Sequence, residues 1–142
     1  MKKKCMVILA LMSVLISYAG NFNTITNDSF WKDTSGGYIF SQGGGIFRFP
    51  DPKTGEQHYY WYGVKYKEAM LYAPDALAGS KSNMTNFVSV TCYQSDDLVN
   101  WKFVRDVMTG STFSGHDPAW WLGRLGVAYV PEIKKFALLV QY

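Results

Sequence analysis

The chain has 142 residues, 17% of them aromatic and 18% charged, with a formal net charge of +3. Residues 1 to 19 hold three lysines and no acid, so the remainder balances 11 basic residues against 11 acidic ones. Nothing in that balance argues for a nucleic-acid surface or a polybasic membrane patch, and about 120 residues suffice for one small domain with its own core but not for two.

Lys2, Lys3 and Lys4 precede an apolar run from Met6 to Ile16, and Ser17-Tyr18-Ala19 supplies the small residues a signal peptidase needs. Residues 1–19 therefore read as a secretory signal of bacterial style, which predicts a secreted or periplasmic protein. The run is short for a permanent span and no stop-transfer stretch follows it, so no membrane association is expected after cleavage. Cys5 precedes the apolar run, the wrong side for a lipid-modified cysteine. Cys92 alone lies beyond the signal, so the fold has no intrachain disulfide to rely on.

Residues 20 to 38 are polar and turn-rich, with neither strand nor helix period, and read as a lead-in pinned by Phe30 and Trp31. Gly43-Gly44-Gly45 opens a short strand, Ile46 to Phe49. Pro50-Asp51-Pro52-Lys53-Thr54-Gly55 is a turn by its proline and glycine chemistry, and Tyr59 to Val64 is the returning strand. Residues 65 to 86 lack alternation and read as a surface insertion with one helical turn near Asp75 to Ala78.

Val88, Val90 and Cys92 then alternate with Ser89, Thr91 and Tyr93, which predicts a half-buried strand with Cys92 as a small buried hydrophobe. A turn at Ser95-Asp96-Asp97, capped by the Ser95 and Asp97 side chains, leads to a strand over Lys102 to Val107, with Leu98 and Trp101 packing back between sheets. Trp61 and Trp101 are core candidates. These four strands predict an antiparallel meander. After the connection at Thr109 to Gly115 the pattern restarts: a strand over Leu125 to Tyr129, a turn at Val130 to Lys134, and a strand over Phe136 to Tyr142. The two strands of this second hairpin are both expected to be buried.

Two stretches are specific: Tyr93-Gln94-Ser95-Asp96-Asp97-Leu98-Val99-Asn100-Trp101, and Val127 to Leu139 with its Tyr-Val-Pro-Glu turn. With Gly43-Gly44-Gly45-Ile46-Phe47 followed by Tyr59-Tyr60-Trp61-Tyr62-Gly63, their order resembles the repeating blade of glycoside hydrolase family 43, and within it the exo-β-1,3-galactanase-like and related branches. The resemblance covers about residues 28 to 142. It implies an all-β fold, a five-bladed β-propeller of which residues 20–142 hold blade one and the start of blade two.

It also implies inverting hydrolysis of polysaccharide side chains. That reaction needs a base carboxylate and an acid carboxylate roughly 6.5–9.5 Å apart across the sugar. The chain departs from this pattern. No carboxylate stands at Ser41-Gln42-Gly43, where the blade-one base would fall, or at Gly123-Arg124-Leu125, where blade two commonly carries an acid; the general acid belongs to a later blade. A closed propeller needs roughly 300 residues, so the expected partners are an oligo- or polysaccharide and further C-terminal blades, and the catalytic residues stay unassigned.

Three residues are candidate sugar contacts. Gln42 either meets sugar through its amide or bonds the glycine-rich backbone. Arg124 either reaches a sugar hydroxyl or a carboxylate, or pairs with Asp117. Trp121 or Trp120 can offer a ring face to a pyranose, with core packing expected for at least one of them. His116-Asp117 beside Pro118 reads as a turn rather than a metal pair, and no cofactor or metal is expected. Asn27-Asp28-Ser29 and Asn83-Met84-Thr85 match a glycosylation sequon, which the bacterial-style signal discounts. Two other readings stand beside a hydrolase: a non-catalytic carbohydrate-binding relative, and a small structural β-domain.

Overall fold

Short polar turns set where the strands of this protein reverse. The computed structural model describes residues 20–73, 85–112 and 121–142. Within them β1 (Gln42–Pro50), β2 (Gln57–Tyr66), β3 (Phe87–Ser95) and β4 (Lys102–Thr109) form an antiparallel meander in chain order. A second antiparallel pair joins β5 (Gly123–Val130) to β6 (Lys135–Gln141). Helical structure among the described residues is limited to α1 (Lys67–Tyr72) and a 3-10 turn at Gly110–Thr112. The all-β class read from the sequence is the observed one.

At the β1–β2 turn the Asp51 carboxylate accepts the Lys53 and Thr54 N–H groups at 2.7 and 2.9 Å. The Thr54 bond first, then that of Lys53, holds its carboxyl below the ordinary value. At the β3–β4 turn Ser95 Oγ accepts the Asp97 and Leu98 N–H groups, while the Asp97 carboxylate gathers the Asn100 side-chain amide and the Asn100 and Val99 N–H groups at 2.7 to 2.9 Å. Both turns follow the side-chain capping expected of Asp and Ser.

The helical turn expected near Asp75 to Ala78 falls outside the described residues. A helix forms earlier, at Lys67–Tyr72, without a side-chain cap at Tyr66. The Glu68 carboxylate ties it to the start of β3 by accepting the Asn86 N–H at 2.9 Å and the Asn86 side-chain amide.

The central strands of the four-stranded sheet, β2 and β3, are covered on both faces. Residues 20–41 lie over one face: Trp31 packs on Trp61 with ring centroids 5.8 Å apart, the Thr34 N–H donates to the Trp101 carbonyl at 2.9 Å, and Thr91 Oγ1 donates to the Phe40 carbonyl at 2.7 Å. The β5–β6 hairpin lies over the other. It contributes Leu125 to a cluster with Val64, Tyr66, Phe87, Val90, Met108 and Leu122, and Val127 to a second cluster with Tyr60, Tyr62 and Cys92.

This arrangement corrects three expectations. β3 is not half-buried: Ser89 to Tyr93 are all buried, because the lead-in covers the face the alternation assigned to solvent. β6 is not a buried strand; it alternates between exposed and half-buried residues and leaves Leu139 66% exposed, since only one of its faces meets the first sheet. Leu98 does not pack inward: it takes a left-handed φ of 64° at the turn and is exposed, whereas Trp101 is fully buried. Trp61 is half-buried, clamped between Trp31 and Trp101 on the lead-in side. Cys92 is buried as expected.

Candidate functional site

The two sheets meet along their first strands, β1 and β5. Each begins with a bulge: the β1–β2 register slips between Gln42 and Gly45, and the β5–β6 register slips between Gly123 and Gly126. Inside each bulge one residue adopts a left-handed backbone, Gly43 at φ 62° and Arg124 at φ 50°. The two bulges adjoin, because a Cβ built on Gly43 would lie 3.9 Å from the Arg124 backbone nitrogen. Bulges re-aim side chains at the rims of sheets. An arginine held where glycine suffices costs roughly 1–2 kcal/mol, and strain of this kind concentrates at functional positions.

Close approach explains the glycines here. A Cβ on Gly44 would sit 1.8 Å from the Tyr62 carbonyl oxygen, and one on Gly123 would sit 2.6 Å from Cζ2 of Trp121. The Trp121 indole therefore lies directly on the Gly123 backbone and is still 40% exposed. Leu122 is fully buried, and its carbonyl accepts the hydroxyl of Tyr66, whose ionisation burial pushes upward. Trp121 is thus mounted on an anchored backbone.

The structure places all three candidate sugar contacts at the same end of the paired strands. Gln42 is exposed as the first residue of β1; Arg124 is exposed as the second of β5, and Trp121 stands two residues before that strand. Trp120, His116 and Asp117 lie outside the described residues, as does the Arg124–Asp117 pairing. Sequence reasoning passed over Ser41, whose buried Oγ has no hydrogen-bond partner among the described residues, although it directly precedes Gln42. Such orphaned hydroxyls call for water or a bound molecule.

Neither β1 nor β5 carries a carboxylate. Asp51, Glu56 and Asp96 cluster at the opposite end of the sheet, where His58 Nδ1 lies 2.5 Å from Asp96 and Nε2 3.9 Å from Glu56. Among the described residues no group of three His, Cys, Asp or Glu side chains could hold a metal ion. A cavity of about 560 Å³ opens between the sheets beside Tyr62, Cys92, Val107, Val127 and Leu138. Its lining is mainly apolar, it lies away from the β1–β5 end, and burial there pushes the Cys92 thiol up to about 11.

No protein-family model matches the sequence, and no curated protein matches it significantly. Among solved structures, an exo-β-1,3-galactanase from Clostridium thermocellum is 27% identical with a TM-score of 0.57 over 82% of this chain and 20% of its own. The exo-β-1,3-galactanase of Phanerochaete chrysosporium, solved with galactose, is 24% identical with the same TM-score, over 82% of this chain and 22% of its own. A variant of that fungal enzyme, solved with β-1,3-galactotriose, is 24% identical with a TM-score of 0.54. The fold matches part of a family 43 galactanase propeller. The chain spans about a fifth of the length of these structures, 20% to 22%. In that architecture the meander β1 to β4 is blade one, and β5 and β6 are the first strands of blade two.

Proposed function

We propose that this chain builds part of the sugar-binding wall of an exported, family 43-type glycoside hydrolase acting on galactan-like polysaccharide, with its ligand at the β1–β5 end. The observation that carries the reading is the meeting of the bulges that open β1 and β5, which brings the backbone positions of an exposed indole, an amide and an exposed arginine to one end of the paired strands. An indole face suits the C–H surface of a pyranose, and the amide and guanidinium suit its hydroxyls. The fungal galactanase, solved with galactose and as a variant with β-1,3-galactotriose, supports a carbohydrate ligand.

The chemical step needs two carboxylates across the sugar. Those must come from other strands than β1 and β5, in this reading from further blades. The absence of acids from both β1 and β5 also favours a second reading, a propeller that binds carbohydrate without cleaving it.

One chimera separates them. Grafting the later blades of the Clostridium galactanase after Tyr142 should give a protein that releases galactose from β-1,3-galactan. A chimera that binds galactan but stays inert points to the binding reading, and one that neither binds nor cleaves removes both. Export is tested by producing the chain with residues 1–19 in a bacterium: cleavage after Ala19 and release from the cytoplasm are expected.

A further inference from the structure

We propose that the β1–β5 end selects sugars bearing a carboxylate, that is, uronic-acid residues, through Arg124. This inference rests on the carbohydrate reading above and adds to it that the sugar contacted at this end carries a carboxylate, as an acidic unit on a galactan-like chain would. β1 and β5 together carry two arginines and no acid. Arg48 is engaged toward the far end of β1, against the Tyr59 ring at 5.8 Å. Lys65, near the Gln42 end of β2, lies over the Phe40 ring at 5.7 Å. Arg124 is exposed and has no ion pair or ring contact among the described residues.

A guanidinium presents a planar fork that matches a carboxylate in two parallel charge-assisted hydrogen bonds, stronger than any it makes to neutral sugar hydroxyls. The left-handed backbone at Arg124 puts an arginine on the bulge beside Gly43, although a glycine would sit there without strain. Trp121, three residues earlier and lying on Gly123, supplies the stacking face for the same ring. With no acid on β1 or β5 to repel it, a sugar carboxylate meets a cation and an aromatic platform together.

The test uses the intact chain and two trisaccharides alike except at one terminus, where one carries a uronic acid and the other the same sugar with its carboxyl reduced to an alcohol. Titration calorimetry should show the acidic ligand binding about ten-fold tighter at low salt, with the ratio shrinking as ionic strength rises. Arg124→Gln should bring the ratio to about one, Arg124→Lys should keep part of it, and Trp121→Ala should weaken both ligands in proportion. A wild-type ratio near one overturns the inference while leaving carbohydrate binding standing, as does a ratio that survives Arg124→Gln. If neither trisaccharide binds, the carbohydrate reading fails as well.

Discussion

At the scale of single residues, Arg124 holds a conformation that glycine holds at the corresponding point of β1. If that geometry is kept for ligand contact rather than for folding, Arg124→Gly should relieve the strain and leave stability unchanged or raised by up to about 1 kcal/mol. The same change should weaken sugar binding. Thermal melts beside binding titrations check this, and a clear loss of stability would mean the arginine serves the fold. Asp97 gives a second test. The Asn100 side chain, then the Asn100 and Val99 N–H groups, hold its carboxyl far below its ordinary 3.8. A carboxylate lowered in the folded state adds stability that is present above the ordinary value and lost as pH falls through the folded one. The melting temperature should therefore drop steeply below about pH 4, and Asp97→Ala should flatten that slope. Equal slopes in the two proteins would show that other carboxylates set the acid limit.

At the scale of elements, the strand order and both hairpin turns of blade one were legible because their signals are local. Asp51 and Gly55, then Ser95 and Asp97, place turn chemistry within a few residues of the backbone groups it satisfies. The double burial of β3 was not legible, since the segment over its second face, residues 20–41, has no period of its own. Nor was α1, which lacks a capping side chain. The candidate site was legible in its residues but not in its geometry: Gln42 and Arg124 are brought near by strand packing across more than 80 positions, and only the recurring glycines of the two bulges hint at it. Tyr66 shows how such distant elements are locked, as its hydroxyl bridges β2 to the Leu122 carbonyl before β5. Tyr66→Phe leaves a buried carbonyl unmatched and should cost about 1–3 kcal/mol. It should also loosen Trp121, read as altered indole fluorescence before global unfolding. A normal melt with unchanged fluorescence would deny the anchor its role.

At the scale of the whole molecule, the open question is whether the two sheets part independently or as one unit. The two apolar clusters are distinct, yet Val107 and Leu138 pack against both. Shared side chains of this kind couple the loss of one cluster to the loss of the other, so a single cooperative transition is expected. Cys92 is the natural reporter, because it is buried between the sheets with its thiol pushed up to about 11 by burial. Alkylation needs a thiolate in contact with solvent, and both conditions fail at neutral pH while the hairpin stays on the meander. Labelling should therefore track global unfolding, with the same urea dependence as the loss of circular dichroism. Labelling that proceeds in native buffer at a rate insensitive to urea would mean that the β5–β6 hairpin lifts away by itself. In that case the β1–β5 end is assembled only part of the time, and sugar affinity should fall by the fraction of molecules with the hairpin open.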